Sequence, residues 1–414
     1  MRAVNLSKVS LLFFLFIFSS TLALAGGLES KSAENSSNTP ALGKNVPITG
    51  NVDQLKHFFQ ALNGSKTKKI RIAHFGDSLI EGDVITSDLR ENLQKRFGGN
   101  GAGFVSINSD DVQMRKTTKL TYSTDWEEAS IFKRNPKNWP FGINACVFVP
   151  SSKSWVKYET SSFSKSLKSF STARLIYKGG TPNCKIKYSF NGAPAQTASL
   201  SSGNDVKVLD LDASGTAGSV KIDFDNCGGA SAFFYGVSLE NGNGIYVDNF
   251  PIKGNSGVSL VDIPKDVLKG FNDQLNYKLI IINFGINVLS PTYSDYNWYA
   301  KRMEKVINYF KEAFPQTSIL LVSVGDKAIK KGSRFITDPQ TPMLLEAQKD
   351  VAKKTGIAFW NLFEAMGGEN SIPQWVSAGP PLAFRDYCHL TPEGGTRVAD
   401  LLTSALMDEY NKAK

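Results

Sequence analysis

Lys69-Ile70-Arg71-Ile72-Ala73-His74-Phe75-Gly76-Asp77-Ser78-Leu79-Ile80-Glu81-Gly82-Asp83 opens as a β-branched run and meets a glycine just before a small polar cluster. It then turns helical, with Leu79, Ile85, Leu89 and Leu93 spaced among charged residues. Strand, tight turn and helix in this order set one side chain at the carboxyl edge of a sheet, with helix N–H groups beside it. That side chain is Ser78, a candidate nucleophile. The same three residues also read as a plain helix start, with Asp77 or Ser78 as N-cap and Gly76 supplying the turn.

A second stretch far downstream decides between the two readings: Asp386-Tyr387-Cys388-His389-Leu390-Thr391-Pro392-Glu393-Gly394. A serine nucleophile needs a base, and the base needs an orienting carboxylate. The chain has only three histidines. One of them, His389, follows Asp386 by three residues and stands just ahead of Thr391 and Pro392, an N-cap and N1 pair.

Gly76-Asp77-Ser78-Leu79 together with Asp386-x-x-His389 resembles the GDSL, or SGNH, hydrolase superfamily. That family also draws oxyanion donors from a glycine in a second block and an asparagine in a Gly-x-Asn third block. Here Gly285-Ile286-Asn287 follows the apolar run Leu279-Ile280-Ile281-Ile282-Asn283-Phe284, and Lys253-Gly254-Asn255-Ser256-Gly257 fits the second block. Gly254 is the better match, with Gly257 its rival. The family often has an acidic residue after the third-block asparagine, where this chain has Val288. The resemblance implies an α/β, flavodoxin-like three-layer fold with a parallel sheet. It implies Ser78, His389 and Asp386 as a catalytic triad, and Ser78, Gly254 and Asn287 around an oxyanion. Asp77 and Gly76 support the turn.

With 414 residues, 41% of them hydrophobic and 21% charged, the chain has the composition of a globular protein of two or more domains. The N-terminus departs from that texture. Arg2 and Lys8 precede Leu11-Leu12-Phe13-Phe14-Leu15-Phe16-Ile17-Phe18, and Ala23-Leu24-Ala25 follows. This is the order of a secretory signal peptide cut after Ala25, with an apolar core too short to favour a membrane span. Export from a bacterium to the periplasm or medium is the expectation, with no stable membrane insertion after cleavage. Removing Arg2 and Lys8 takes the formal charge from +9 to +7. The excess is scattered, as in Lys66 to Lys69 and Lys327 to Lys331, with no aromatic-interleaved basic array of the kind that binds single strands. Nucleic acid is therefore not expected as a partner; the scattered charge reads first as a solvated surface, with attraction to anionic wall polymers the second reading. Cys146, Cys184, Cys227 and Cys388 allow three pairings in an oxidising compartment. Cys184–Cys227 is the expected one, since both lie in the same β-rich region. A thiol role for Cys388 is set aside, because neighbours in extended chain point to opposite sides.

Along the chain, 26–48 reads as a flexible leader and 49–108 as the first part of a hydrolase domain, with an amphipathic helix over 52–62. The glycines from Gly98 to Gly103 read as a turn after the helix rather than a phosphate loop. From 109 to 244 the helical period vanishes. Short Val-, Ile-, Tyr- and Phe-rich runs alternate with Gly, Asn and Ser, and Asn191-Gly192 signals a hairpin. This reads as an inserted all-β sandwich or jelly roll, carbohydrate-binding-like, with Trp126, Trp139 and Trp155 as stacking candidates or core residues. Strand–helix alternation resumes over 245–414, with strands at Ile245–Phe250, Ser318–Ser323 and Ile357–Leu362 and a last helix from Pro392.

The chemistry implied is acyl transfer. His389, oriented by Asp386, takes the Ser78 proton as Ser78 attacks an ester carbonyl. An exported chain of this family with a β insertion resembles bacterial peptidoglycan O-acetylesterases. It implies removal of acetyl groups from O-acetylated peptidoglycan or another polysaccharide, with no cofactor. Two alternatives share the sequence: an O-acetyltransferase on the same triad, and an inactive glycan-binding protein. His74 reads as a packed strand residue and His57 as a helix-surface residue. No His/Cys/Asp cluster has metal-ligand spacing, so no metal is expected.

Overall fold

The computed structural model describes residues 42–414, apart from 134 and 164–166. The expected signal peptide and most of the expected leader lie outside the described residues. Leu42–Lys414 forms one compact unit.

Five strands run parallel at its centre: Lys69–Gly76, Gly244–Pro251, Tyr277–Asn283, Ser318–Val322 and Ala358–Trp360. Laterally, Gly244–Pro251 lies outside Lys69–Gly76, and the other three follow on its far side in chain order. The short strand Thr49–Gly50 closes that edge antiparallel to Ala358–Trp360. The order 2-1-3-4-5 is that of flavodoxin-like sheets, whose switch point lies between the first and third strands. Here those strands end at Gly76 and Asn283.

Both faces of the sheet are covered, which is why its strands read as nearly unbroken apolar runs. The period of two sends Ile70, Ile72, Val247 and Ile281 to one face, against the helices Lys56–Leu62, Thr86–Phe97 and Pro392–Lys412. Phe75, Phe250, Ile280 and Leu321 go to the other, against Lys265–Leu275, Asn297–Ala313 and Gln340–Thr355. The helices expected over 52–62 and from Pro392 lie within a few residues of those bounds, while Lys265–Leu275 was not expected from the sequence.

The middle of the chain forms two antiparallel sheets. One has five strands in the order Gln196–Ser199, Lys185–Phe190, Ser219–Asp225, Trp155–Thr160, Thr118–Tyr122. The other is built on Val206–Ala217, Phe170–Gly179, Ala232–Asn241, Cys146–Val149 and Glu127–Ser130. Tyr158, Ile186, Val220 and Phe224 of the first share a core with Leu175, Tyr177, Phe234 and Val237 of the second. Cys184 and Cys227 are disulfide-bonded within this core, while Cys146 and Cys388 are free. The second sheet also packs on the α/β part: the Tyr235 and Phe271 rings lie 5.3 Å apart. A Cβ on Gly270 would stand 2.8 Å from Val206.

The sequence reading sets the inserted region to begin at 109 and Phe104–Ile107 before it. In the structure, strand Asn100–Ser106 already belongs to the second antiparallel sheet, paired with Ala232–Asn241. The reason is steric. Gly101 is a point of close backbone approach, where a Cβ would come within 2.3 Å of the Leu239 carbonyl oxygen, so glycines that read as a loop break lie inside a strand. The chain leaves the α/β part at Gly98–Gly99 and returns at Gly244. The two crossings touch: Ile245 N donates to Gly98 O at 2.9 Å.

The three tryptophans do not gather into one platform. Trp139 is buried in the α/β core beside Phe233. Trp126 packs edge-on against Phe224, and Trp155 lies under Lys221.

Candidate active site

Ser78 stands two residues beyond the strand end at Gly76, opening a short 3-10 helix over Ser78–Asp83. Asp77 is its N-cap: one carboxylate oxygen accepts from Leu79 N at 3.0 Å, the other from Gly285 N at 3.0 Å. The turn is thereby locked to the loop after the third parallel strand. Burial pushes the Asp77 carboxyl up to about 6, against the pull of its backbone donors.

His389 is delivered from the opposite end of the chain by a tight turn. Asp386 accepts from the backbone N–H of Cys388 at 3.0 Å and of His389 at 3.1 Å, and Tyr387 takes a left-handed φ of 57°. Thr391 then caps the last helix, accepting from Gly394 N, with Pro392 in its first turn. In this turn His389 Nδ1 lies 2.7 Å from Asp386 Oδ2, and His389 Nε2 lies 2.9 Å from Ser78 Oγ. Burial alone would raise the Asp386 carboxyl, but the His389 ring and the two N–H groups hold it below the usual range. The relay is open to solvent: the His389 and Asp386 side chains are 39% and 48% exposed.

The two other blocks converge on the same corner. Ile252 N donates to Gly76 O at 2.8 Å, tying the second block to the first. Asn287 Nδ2 donates to Asn255 O at 3.2 Å, tying the third block to the second. A carboxamide carries two N–H donors, so this bond leaves one over. The rival glycines differ in kind. Gly257 is buried against Phe284, and its N–H is spent on Asn255 Oδ1 at 2.7 Å. Gly254 is exposed at φ +75° with open space over its Cα.

The remaining candidates fall into structural roles. His74 is buried, with Nδ1 2.9 Å from Thr86 Oγ1, and its ring is held down at about 4, chiefly by burial. His57 lies half-buried on the helix Lys56–Leu62. Cys388 packs against the α/β core, and burial pushes its thiol up to about 11, which leaves it protonated. Among the described residues, no group of three or more His, Cys, Asp and Glu side chains is placed to hold a metal ion.

Sequence reasoning passed over the support beneath the turn. Asp83, buried at φ 65°, accepts from Arg90 at 2.8 and 3.1 Å, Arg115 at 3.1 Å and Thr117 at 3.0 Å. A Gly-Asp pair just beyond the turn was its one local signal. It also passed over the hairpin of Ala328–Lys331 and Arg334–Thr337. There Phe335 stacks on Tyr387 with centroids 3.6 Å apart and planes at 9°.

No family model matches the sequence, and no curated protein matches it. Among solved structures, one described as "Peptidoglycan O-acetylesterase in action, 5 min" superposes with a TM-score of 0.72 at 20% identity, covering 88% of this chain and 99% of that one. The two share a fold. A family two carbohydrate esterase from Cellvibrio japonicus matches with a TM-score of 0.28 at 10% identity, covering 72% of this chain and 99% of that one. A GDSL-like lipase from Parabacteroides merdae matches at 0.31 and 18%, covering 39% and 72%.

Proposed function

We propose that this chain is an exported serine esterase that removes acetyl groups from O-acetylated peptidoglycan or a similar polysaccharide. The observation that carries the reading is the unbroken relay Ser78 Oγ–His389 Nε2 and His389 Nδ1–Asp386 Oδ2, at 2.9 and 2.7 Å. It sits at the carboxyl edge of the sheet, at the switch point. A base within hydrogen-bond reach of a hydroxyl, itself held by a carboxylate, is the geometry of an activated serine.

In the reaction, His389 Nε2 takes the Ser78 proton while Oγ bonds to the ester carbonyl carbon. The oxyanion is held by the Ser78 and Gly254 N–H groups and the free N–H of Asn287. One such donor lowers the barrier by about 3 kcal/mol. The tetrahedral centre collapses, the sugar oxygen leaves with the proton from His389, and water repeats the sequence on acetyl-Ser78 to release acetate. Asp77 fixes the turn, and Asp386 fixes the imidazole.

Two features favour a polymeric substrate. The relay is open, so a chain too large for a closed pocket still reaches Ser78. The shared fold with a peptidoglycan O-acetylesterase points to the same substrate class. The two antiparallel sheets make up a β-sandwich that we assign to glycan handling. Export rests on the N-terminal sequence, with the Cys184–Cys227 disulfide in keeping with an oxidising compartment.

Hydrolysis of p-nitrophenyl esters from acetate to octanoate, by the natural chain and Ser78→Ala, tests the reading. Activity that peaks at acetate and is lost in the variant is expected, followed by acetate release from O-acetylated peptidoglycan. Equal activity in both proteins, or none in either while both are folded, would overturn it.

A further inference from the structure

The hairpin of Ala328–Lys331 and Arg334–Thr337 stands against the turn that carries the relay. Ala328 N donates to Tyr387 O at 3.0 Å, and the Phe335 ring stacks on the Tyr387 ring. Tyr387 is the residue after Asp386 and two before His389. Burial raises the Cys388 thiol in the same turn, and the Lys327 ammonium pulls against it. The alternation of the ribbon turns Ala328 and Thr337, both buried, toward the protein, and Ile329, Lys331, Arg334 and Ile336 outward. A strand advances ~3.3 Å per residue, so the tip at Lys331 stands roughly 10 Å along the ribbon from Ala328. A polymer seated at Ser78 and running past His389 comes within reach of that tip.

The charge on this ribbon is of one sign. From Lys327 to Thr337 the chain carries Lys327, Lys330, Lys331 and Arg334 and no acid, and Arg385 adds a cation in the relay turn. Lys330, Lys331, Arg334 and Arg385 are exposed. Among the described residues, none of the five cations has an ion-pair partner. The two flanking acids are buried and committed elsewhere. Asp326 accepts from Thr337, Ser371 and Ile372, and Asp338 from Gln340 N. Other cross-strand positions of the molecule match opposite charges: Arg174 faces Asp210 and pairs with it at 2.8 Å. Here Lys331 directly faces Arg334. Like charges directly opposite destabilise a two-stranded ribbon, and no carboxylate of the described chain offsets that cost. An anion from outside would.

We propose that this hairpin is a carboxylate-recognition surface, which takes the anionic side groups of the same polymer whose acetyl ester is presented to Ser78. A glycan carrying carboxylates is then preferred over a neutral one. The proposal rests on the esterase reading for the identity of the polymer, and on the hairpin alone for its charge.

The test is cosedimentation of the whole chain with purified, insoluble O-acetylated peptidoglycan, either native or with its carboxyl groups converted to amides. The natural protein is expected to bind the native polymer roughly tenfold more tightly than the amidated one, and to lose that preference in high salt. Lys331→Glu with Arg334→Glu, both at exposed positions, is expected to bind the two forms alike. Lys66→Glu with Lys68→Glu makes the same change of charge at the amino edge of the parallel sheet, away from Ser78, and is expected to keep the preference. Three results overturn the proposal: no preference or no binding by the natural protein, a preference that survives in the hairpin variant, or an equal loss in both variants. The esterase reading fails separately, on p-nitrophenyl acetate left unhydrolysed by the natural protein, because binding is measured without turnover.

Discussion

His74 shows how one buried side chain sets a pH dependence. Its ring titrates at about 4 in the folded chain against 6.5 when free, because burial, with Arg90 nearby, disfavours the imidazolium more than Asp83 favours it. The unfolded chain therefore binds more protons between pH 4 and 6.5, and the stability His74 contributes is complete above 6.5 and lost as pH falls toward 4. Asp77 works in the opposite sense: its raised carboxyl contributes stability that is lost as pH rises through about 6. The two are separated by substitution. In denaturant unfolding, His74→Gln is expected to gain on the natural protein by on the order of 3 kcal/mol as pH is lowered from 6.5 to 4; an unchanging difference would refute this. At this scale the sequence was most readable. Ser78, Asp386 and His389 were visible because each sits in a short segment with its own turn chemistry. The Asn287–Asn255 bond and the Asp83 cluster join residues from separate segments, and no local spacing announces such contacts.

Among the elements, the basic hairpin of Ala328–Lys331 and Arg334–Thr337 bears on the Ser78–His389–Asp386 relay at one remove. Its Phe335 ring stacks on Tyr387, and Ala328 N donates to Tyr387 O at 3.0 Å. Tyr387 is the left-handed residue between Asp386 and His389, so the hairpin braces the turn that aims the imidazole. Phe335→Ala is expected to lower kcat for p-nitrophenyl acetate severalfold with little change in KM, and Phe335→Tyr to restore it. A variant with unchanged kcat would show that the turn holds its own shape. The strands and helices of the α/β part follow their periodicity closely, because burial on both faces writes a strong pattern. This hairpin does not: Lys330, Lys331 and Arg334 dominate its sequence, and it reads as solvated surface. Asn100–Ser106 was misplaced for a related reason, since propensity counts its glycines as breaks while the sheet uses them for close approach.

For the molecule as a whole, Arg71 ties the parallel sheet to the antiparallel one by buried charge. It lies on the first parallel strand and donates to Asp248 at 2.8 Å on the second. It also reaches Ser238 at 3.2 Å and pairs with Glu240, both on the antiparallel strand Ala232–Asn241. Tyr277 on the third parallel strand completes the set, donating to Asp248 at 2.7 Å. Replacing Arg71 by Met leaves buried Asp248 without its cation and Glu240 with only Lys69 and Arg174, and a loss of about 3–5 kcal/mol in unfolding free energy is expected. A loss under about 1 kcal/mol would mean that Lys69 and Arg174 neutralise the site without it. The touching crossings at Gly98–Gly99 and Gly244 bear on how such a chain reaches this state. The first and second parallel strands are far apart in sequence, and pairing them directly would mean closing a very long loop. Once the intervening sheets have formed, their two ends emerge side by side, and the strands meet as though joined by a short link. The parallel sheet is thus expected to assemble after the region inserted in it, so that during synthesis Ser78 leaves the ribosome long before His389 can reach it.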